Sequence, residues 1–362
     1  MNYNKQQLEQ KVNKLVKTMG TIQLEGMLAG GVVSDIYSAI LKDSSGEISE
    51  VVIKYTKEDI PLGKIFSKQD YTNSFSLAQE THDLDVQISE ELNILTPTII
   101  RHYKEEKITL MKNFGDDGFE LLQNRLLNKN LPSDSAQGLG KTLAQVRIDL
   151  EKIGKEFTQI EKSSEQFMER FLELRVLLYN GRMDIFNQIE EDFMATGQKG
   201  IIWTDGDQKN FAIDANGKAM AFDFGRSIIC DPDFMLPNLL GHLGLFFIAG
   251  YLEDGINFLK SCQQSFKTKY KKINSSYELD EQKFVNYFTT SLLHRGMAMR
   301  WIDPKIANNI GEDSLKYASM HFGDIIFDKK SRVSSIDRMY QILQKVAEYA
   351  RDGKYKRTKL DL

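Results

Sequence analysis

Ile201 to Gly225, IIWTDGDQKNFAIDANGKAMAFDFG, is the stretch that decides how the rest of the chain is read. It divides into a strand end, a loop carrying Asp205 and Asn210, a hairpin turning at Asn216-Gly217, and an apolar run closing on Asp223-Phe224-Gly225. Asn-Gly favours the left-handed backbone that a tight hairpin turn needs. Asp205 and Asn210 are five residues apart, and Asp223 lies thirteen beyond Asn210. A hairpin between them is therefore expected to bring two acids and an amide to one place.

These residue types suit one kind of chemistry. Mg²⁺ is a hard cation that takes carboxylate and amide oxygens and keeps several waters, so a protein supplies one or two ligands and phosphates supply others. Asn210 and Asp223 fit that task. A phosphoryl transfer also needs a carboxylate that orients the attacking hydroxyl, and Asp205 sits on the loop for it. The spacing resembles that of kinase catalytic loops, which implies a base at Asp205 and metal ligands at Asn210 and Asp223.

Composition sets the frame. The 362 residues suffice for two lobes; 41% are hydrophobic and 27% charged, as in ordinary globular proteins. A net charge of -4 gives no electrostatic case for nucleic-acid binding. Short basic runs such as Lys267 to Lys272 and Lys354 to Lys359 read as solvated faces. Two cysteines, Cys230 and Cys262, are too few for a disulfide framework or a zinc site, and a reducing, cytoplasmic setting is expected. The polar N-terminal stretch lacks the apolar core of a signal peptide. Leu236 to Tyr251, the most apolar segment, is shorter than a membrane span and reads as a buried helix, so no membrane partner is expected.

From about Gln6 to Met19, Leu8, Val12, Leu15 and Val16 recur at helical spacing, and a glycine ends the run. In Leu28 to Ile40, LAGGVVSDIYSAI, Gly30-Gly31 separates an apolar lead-in from a β-rich run, and Ser44-Ser45-Gly46 leads into Val51-Val52-Ile53-Lys54-Tyr55. Consecutive antiparallel strands are predicted. By the kinase resemblance, Gly30 and Gly31 let the backbone approach nucleotide phosphates, and Lys54 reaches them from the third strand. The resemblance also pairs that lysine with an acid on the helical run from about Phe75 to Leu92, namely Glu80, or Asp83 one turn later. Thr98 to Tyr103 and Lys107 to Met111 complete the sheet. Lys112-Asn113-Phe114-Gly115 then links the lobes, with Met111 and Asn113 flanking the backbone that would meet an adenine edge. The expected division is a nucleotide-binding lobe at 1–114 and a catalytic and substrate-binding lobe at 115–362.

Beyond the link the pattern turns helical. Ser135 to Ile153 sets Leu139, Leu143, Val146 and Leu150 on one face; Gln166 to Leu178 is a second candidate, and three or four helices are expected after Gly225. Gly138-Leu139-Gly140-Lys141-Thr142 imitates a phosphate loop, but the required first glycine falls at Ser135 and no strand precedes it, so Lys141 reads as surface. Asp231 before Pro232 reads as structural. Leu292 to Trp301, LLHRGMAMRW, carries Arg295 and Arg300, and Arg300 is a candidate substrate contact because a guanidinium fork suits carboxylates and phosphates. Asp207 is a candidate for a cationic substrate group or an extra metal, with an exposed loop carboxylate as the plainer reading.

Taken together the chain resembles the aminoglycoside phosphotransferase and choline kinase superfamily of small-molecule kinases. That family's loop reads His-Gly-Asp, four residues, then Asn. Here Trp203-Thr204-Asp205 and Asn210 hold those positions, and Asp207 stands where a second histidine is common. LAGGVVSDIYSAI is similar to the family's glycine-serine loop, which places Ser34 near the phosphates. The insertion between Lys54 and Glu80 and the run GMAMRW look like 5-methylthioribose kinase. The resemblance implies an α+β, protein-kinase-like two-lobe fold with an antiparallel-sheet N-lobe and a mainly helical C-lobe. It also implies ATP and Mg²⁺ as cofactors and a small molecule as partner, either a methylthioribose-type pentose or an aminoglycoside-type antibiotic. Two alternatives stand beside it. Protein-directed phosphorylation lacks an Ala-Pro-Glu segment after Gly225, and a nucleotide-binding regulatory module without turnover would explain Trp203 and Asp207. Oligomeric state is not legible.

Overall fold

The computed structural model describes residues 3–30, 34–57, 85–153, 187–189, 191–192, 200–225, 227–297, 304–328, 330 and 332–355. They fall into two compact units. The first comprises Met1–Glu91, Leu95–Phe119 and Ala221–Arg226, and the second Leu92–Ile94, Glu120–Met220 and Ser227–Leu362. The six residues that include Asp223 therefore belong with the N-terminal sheet.

In the first unit, helix α1 (Lys5–Leu15) opens on a capping box: Gln7 N donates to Asn4 Oδ1 at 2.9 Å and Asn4 N donates to Gln7 Oε1 at 3.0 Å. Strands β1 (Gly20–Gly30), β2 (Ser34–Asp43) and β3 (Ile48–Thr56) follow as a meander. Residues 85–91 are helical (α2), and β4 (Ile99–Tyr103) and β5 (Ile108–Lys112) complete a five-stranded antiparallel sheet in the order β1-β2-β3-β5-β4. The pleat sorts β3: Val51, Ile53 and Tyr55 join Leu8 and Val12 of α1 in the core, so Val52, Lys54 and Thr56 point to the opposite face. Lys54 is thus fixed by a central strand with partners on both sides, opposite Ile36 of β2 and Thr109 of β5.

The second unit begins with β6 (Glu120–Leu121), helix α3 (Leu122–Leu127) and helix α4 (Ser135–Ile153), the last with the bounds that its periodicity predicts. Strand β7 (Gly200–Trp203) pairs with β10 (Ser227–Cys230), while β8 (Phe211–Ile213) and β9 (Ala219–Ala221) join β6 in a small sheet. The β8–β9 hairpin is closed by Asp214 as well as by Asn216-Gly217. Asp214 Oδ1 accepts from Asn216 N and Lys218 N, both at 2.8 Å, and Gly217 takes a φ of 78°. The imitation phosphate loop lies inside α4, and its glycines serve contact. A Cβ on Gly138 would fall 1.9 Å from the Gly217 carbonyl oxygen, and one on Gly140 2.2 Å from that of Cys262. Lys141 is exposed.

Five α-helices follow Gly225 among the described residues, more than the three or four expected: Met235–Ile248, Gly255–Lys271, Glu281–Met297, Glu312–Ile326 and Ile336–Arg351. Two of them defeat periodicity because they are buried nearly all round. Every residue of Met235–Ile248 is buried, and Glu281–Met297 buries eleven, including Phe284, Tyr287 and Phe288. Each large apolar side chain so buried contributes about 1.5–3 kcal/mol. The architecture is an antiparallel-sheet N-terminal unit and a mainly helical C-terminal unit. No helix among the described residues is long and apolar enough to cross a membrane.

Candidate functional site

The first unit assembles an ion cluster around Lys54. Its Nζ donates to Asp85 Oδ2 at 2.7 Å and to Asp223 Oδ1 at 2.8 Å. Asp85 closes the set by accepting the main-chain N–H of Phe224 on Oδ1 at 2.6 Å. The Phe224 side chain is fully buried, and Phe222 stacks on Phe114 with centroids 5.6 Å apart. The segment is held at one further point, where Ala221 N donates to Leu95 O at 3.0 Å, and Asp223 takes a φ of 65°. A left-handed aspartate is uncommon and must be held by its surroundings.

The electrostatics follow from geometry. Burial alone would lower the Lys54 pKa, but Asp223 and then Asp85 outweigh it and hold the ammonium charged. Two carboxylates on one ammonium leave a negative charge in excess. Asp85 bears the cost: burial raises its pKa, Lys54 pulls it down, and Asp223 raises it again. The two acids differ in access, since the Asp223 side chain keeps 40% of its exposure and that of Asp85 only 13%. Asp223 is the carboxylate that a ligand can reach.

The second unit builds the loop between β7 and β8. Trp203 is fully buried on Phe211, with centroids 5.2 Å apart, so it fills core volume. The carbonyl of Thr204 accepts from Asn238 Nδ2 at 3.1 Å. The carbonyl of Asp205 accepts twice at 2.7 Å, from Asp207 N and from Asn210 Nδ2. Asp205 itself is half-buried. Asp207 is only 4% exposed and bound to Arg295, which rules out the exposed loop carboxylate. Burial raises its pKa, against the pull of Arg295.

The remaining predicted residues take varied positions. Gly30 ends β1 opposite Asp35, and Ser34 begins β2 opposite Thr56. Met111 lies half-buried in β5, opposite Val52. Asn113 braces the link: its Nδ2 donates to Glu50 Oε2 at 2.8 Å and its Oδ1 accepts from Gly115 N at 3.0 Å. Gly31, Glu80, Asp83 and Arg300 lie outside the described residues. The acid found on Lys54 is Asp85, in α2 and inside the helical run expected from about Phe75 to Leu92.

In fold, the chain is similar to solved small-molecule phosphotransferases. The amicoumacin kinase hAmiN, solved with AMP-PNP, Ca²⁺ and amicoumacin, matches over 95% of this chain and 93% of its own, at 14% identity and a TM-score of 0.47. The macrolide 2'-phosphotransferase MphH of Brachybacterium faecium matches over 95% and 97%, at 9% identity and a TM-score of 0.47. The choline kinase LicA of Streptococcus pneumoniae matches over 94% and 99%, at 12% identity and a TM-score of 0.42. No protein-family model and no curated protein matches the chain.

Proposed function

We propose that the chain is an ATP- and Mg²⁺-dependent kinase that phosphorylates a hydroxyl group of a small molecule. The observation that carries this reading is the Lys54 ammonium held between Asp85 and Asp223, with the Phe224 N–H closing the set. A buried ammonium held charged by two carboxylates on a central strand suits the oxygens of a nucleotide phosphate. The reachable Asp223 carboxylate in a negatively biased cluster suits a divalent cation. Mg²⁺ takes one or two protein ligands and completes its shell with phosphate oxygens and waters, which is the kind of site that Asp223 and Asn210 would supply.

In this reading Lys54 contacts the phosphates, Asp85 orients it, and Asp223 and Asn210 are the metal ligands. The Asn210 amide is oriented by its bond to the Asp205 carbonyl. The bound metal would neutralise phosphate charge as it develops. Asp205 accepts the proton of the attacking hydroxyl, and Gly30, Gly31 and Ser34 cover the phosphates. Met111 and Asn113 border the base, in a nucleotide-binding region at 1–114 that precedes a catalytic region at 115–362. The acceptor is a sugar-like metabolite, such as a methylthioribose-type pentose, or an aminoglycoside-type antibiotic.

The test is ATP consumption with Mg²⁺ against methylthioribose, other pentoses, choline, homoserine and aminoglycosides. One acceptor should turn over, and Asp205→Ala should lower kcat about 10²–10⁴-fold while ATP affinity stays within about twofold. Full turnover by Asp205→Ala would remove Asp205 from the mechanism.

A further inference from the structure

The loop that carries Asp205 and Asn210 is held by side chains distant in sequence. Asp207 is its buried centre. Its Oδ1 accepts from Lys209 N at 2.8 Å and its Oδ2 from Arg295 Nη2 at 3.0 Å. Its own N–H goes to the Asp205 carbonyl at 2.7 Å, and its carbonyl accepts from Asn210 N at 3.1 Å. Asp207 is therefore bonded through the main chain to both residues that the proposed mechanism uses. On the far side, Arg295 Nε donates to His242 Nε2 at 3.1 Å, which places the ring proton on Nδ1. That nitrogen lies 3.7 Å from Asp207 Oδ2. Burial, then Arg295 and His294, keep the imidazole neutral, so Arg295 and Asp207 form the charged pair.

We propose that Arg295, acting through Asp207, is a positioning residue that fixes the loop bearing Asp205 and Asn210. The catalytic consequence rests on the kinase reading; the coupling itself rests only on this geometry. Direct substrate contact is the rival role for Arg295, and its engagement argues against it: Nε and Nη2 are already bonded to His242 and Asp207, and the side chain is only 18% exposed. The guanidinium also makes two bonds at once in fixed directions, which a lysine ammonium does not reproduce. A loop released by even 1 Å costs about a hundredfold in rate when it carries the reacting groups.

Hydrogen exchange of the full chain reads the coupling without turnover. In Arg295→Gln, the amides of Asp207, Lys209 and Asn210 should exchange at least about tenfold faster, while amides of β7 and of Met235–Ile248 keep their protection. Asp207→Asn with Arg295→Gln removes both charges and strands neither, so it keeps the protein folded if the single change does not. This double variant should still show the faster loop exchange and a kcat lowered about 10–100-fold at unchanged KM for ATP. Arg295→Lys should restore only part of both. Unchanged loop exchange in the double variant overturns the positioning role and leaves the kinase reading intact. Faster loop exchange in a protein that turns over no acceptor supports the coupling and counts against the kinase reading instead.

Discussion

Lys54→Met keeps the length and apolar stem of the side chain and removes its ammonium. Asp223, 40% exposed at its side chain, turns to water, whereas Asp85, at 13%, is left with the Phe224 N–H alone. Stranding one partner of a buried ion pair costs about 3–5 kcal/mol, and water at Asp223 puts this case at the lower end, about 3 kcal/mol at pH 7. Lys54→Met with Asp85→Asn removes the stranded charge and keeps an acceptor for Phe224 N–H, so it should cost only about 1 kcal/mol. The deficit of the single variant also depends on pH. Burial raises the folded-state pKa of Asp85 above 3.8, and losing Lys54 removes the pull that opposed it. The native state then takes up that proton first, so stability is regained as pH falls towards 3.8 and lost as it rises. Urea unfolding, read through hydrogen exchange of β3 and β5 amides, measures both variants. A single variant costing less than about 0.5 kcal/mol, or a double variant costing as much as the single, refutes the reasoning.

Gly138→Ala would place a methyl against the Gly217 carbonyl, 1.9 Å away, and should cost about 1–3 kcal/mol in thermal unfolding, while Lys141→Ala beside it should stay within about 0.5 kcal/mol. His242→Gln should flatten the acid limb of stability. The folded-state pKa of His242 lies well below 6.5, through burial and then Arg295, so its contribution is present above pH 6.5 and lost as pH falls. The gap between wild type and variant should narrow as pH falls below 6.5. His294, lowered to about 3 by burial and Arg295, titrates in the same sense in both proteins.

What the sequence displayed, and what it hid, follows from how each residue meets its neighbours. The strand carrying Lys54, the β8–β9 hairpin and helix α4 were legible because each is half-exposed or bounded by a turn, so period and punctuation survive in the sequence. Met235–Ile248 was legible as a buried helix from its largely apolar run, whereas Glu281–Met297 buries polar residues such as Asn286, Thr289 and Thr290 with its aromatics and so shows no single apolar stripe. Asp207 looked exposed because Gly-Asp-Gln-Lys is a polar string, and its burial depends on Arg295, 88 residues away. Asp85 was hidden differently. It lies in the same expected helical run, Phe75 to Leu92, as Glu80 and Asp83, and spacing along a helix does not choose among three acids.

The return of Ala221–Arg226 to the N-terminal unit has a consequence for synthesis. The ribosome completes the five-stranded sheet long before it makes Asp223, which lies 169 residues after Lys54. At about 5–20 residues per second the lysine waits roughly ten to thirty seconds for its second carboxylate, and Asp85, 139 residues before Phe224, somewhat less for its N–H. A nascent chain stopped at Phe119 holds every strand of that sheet and an unfinished charge cluster, so the first unit is made early and completed late.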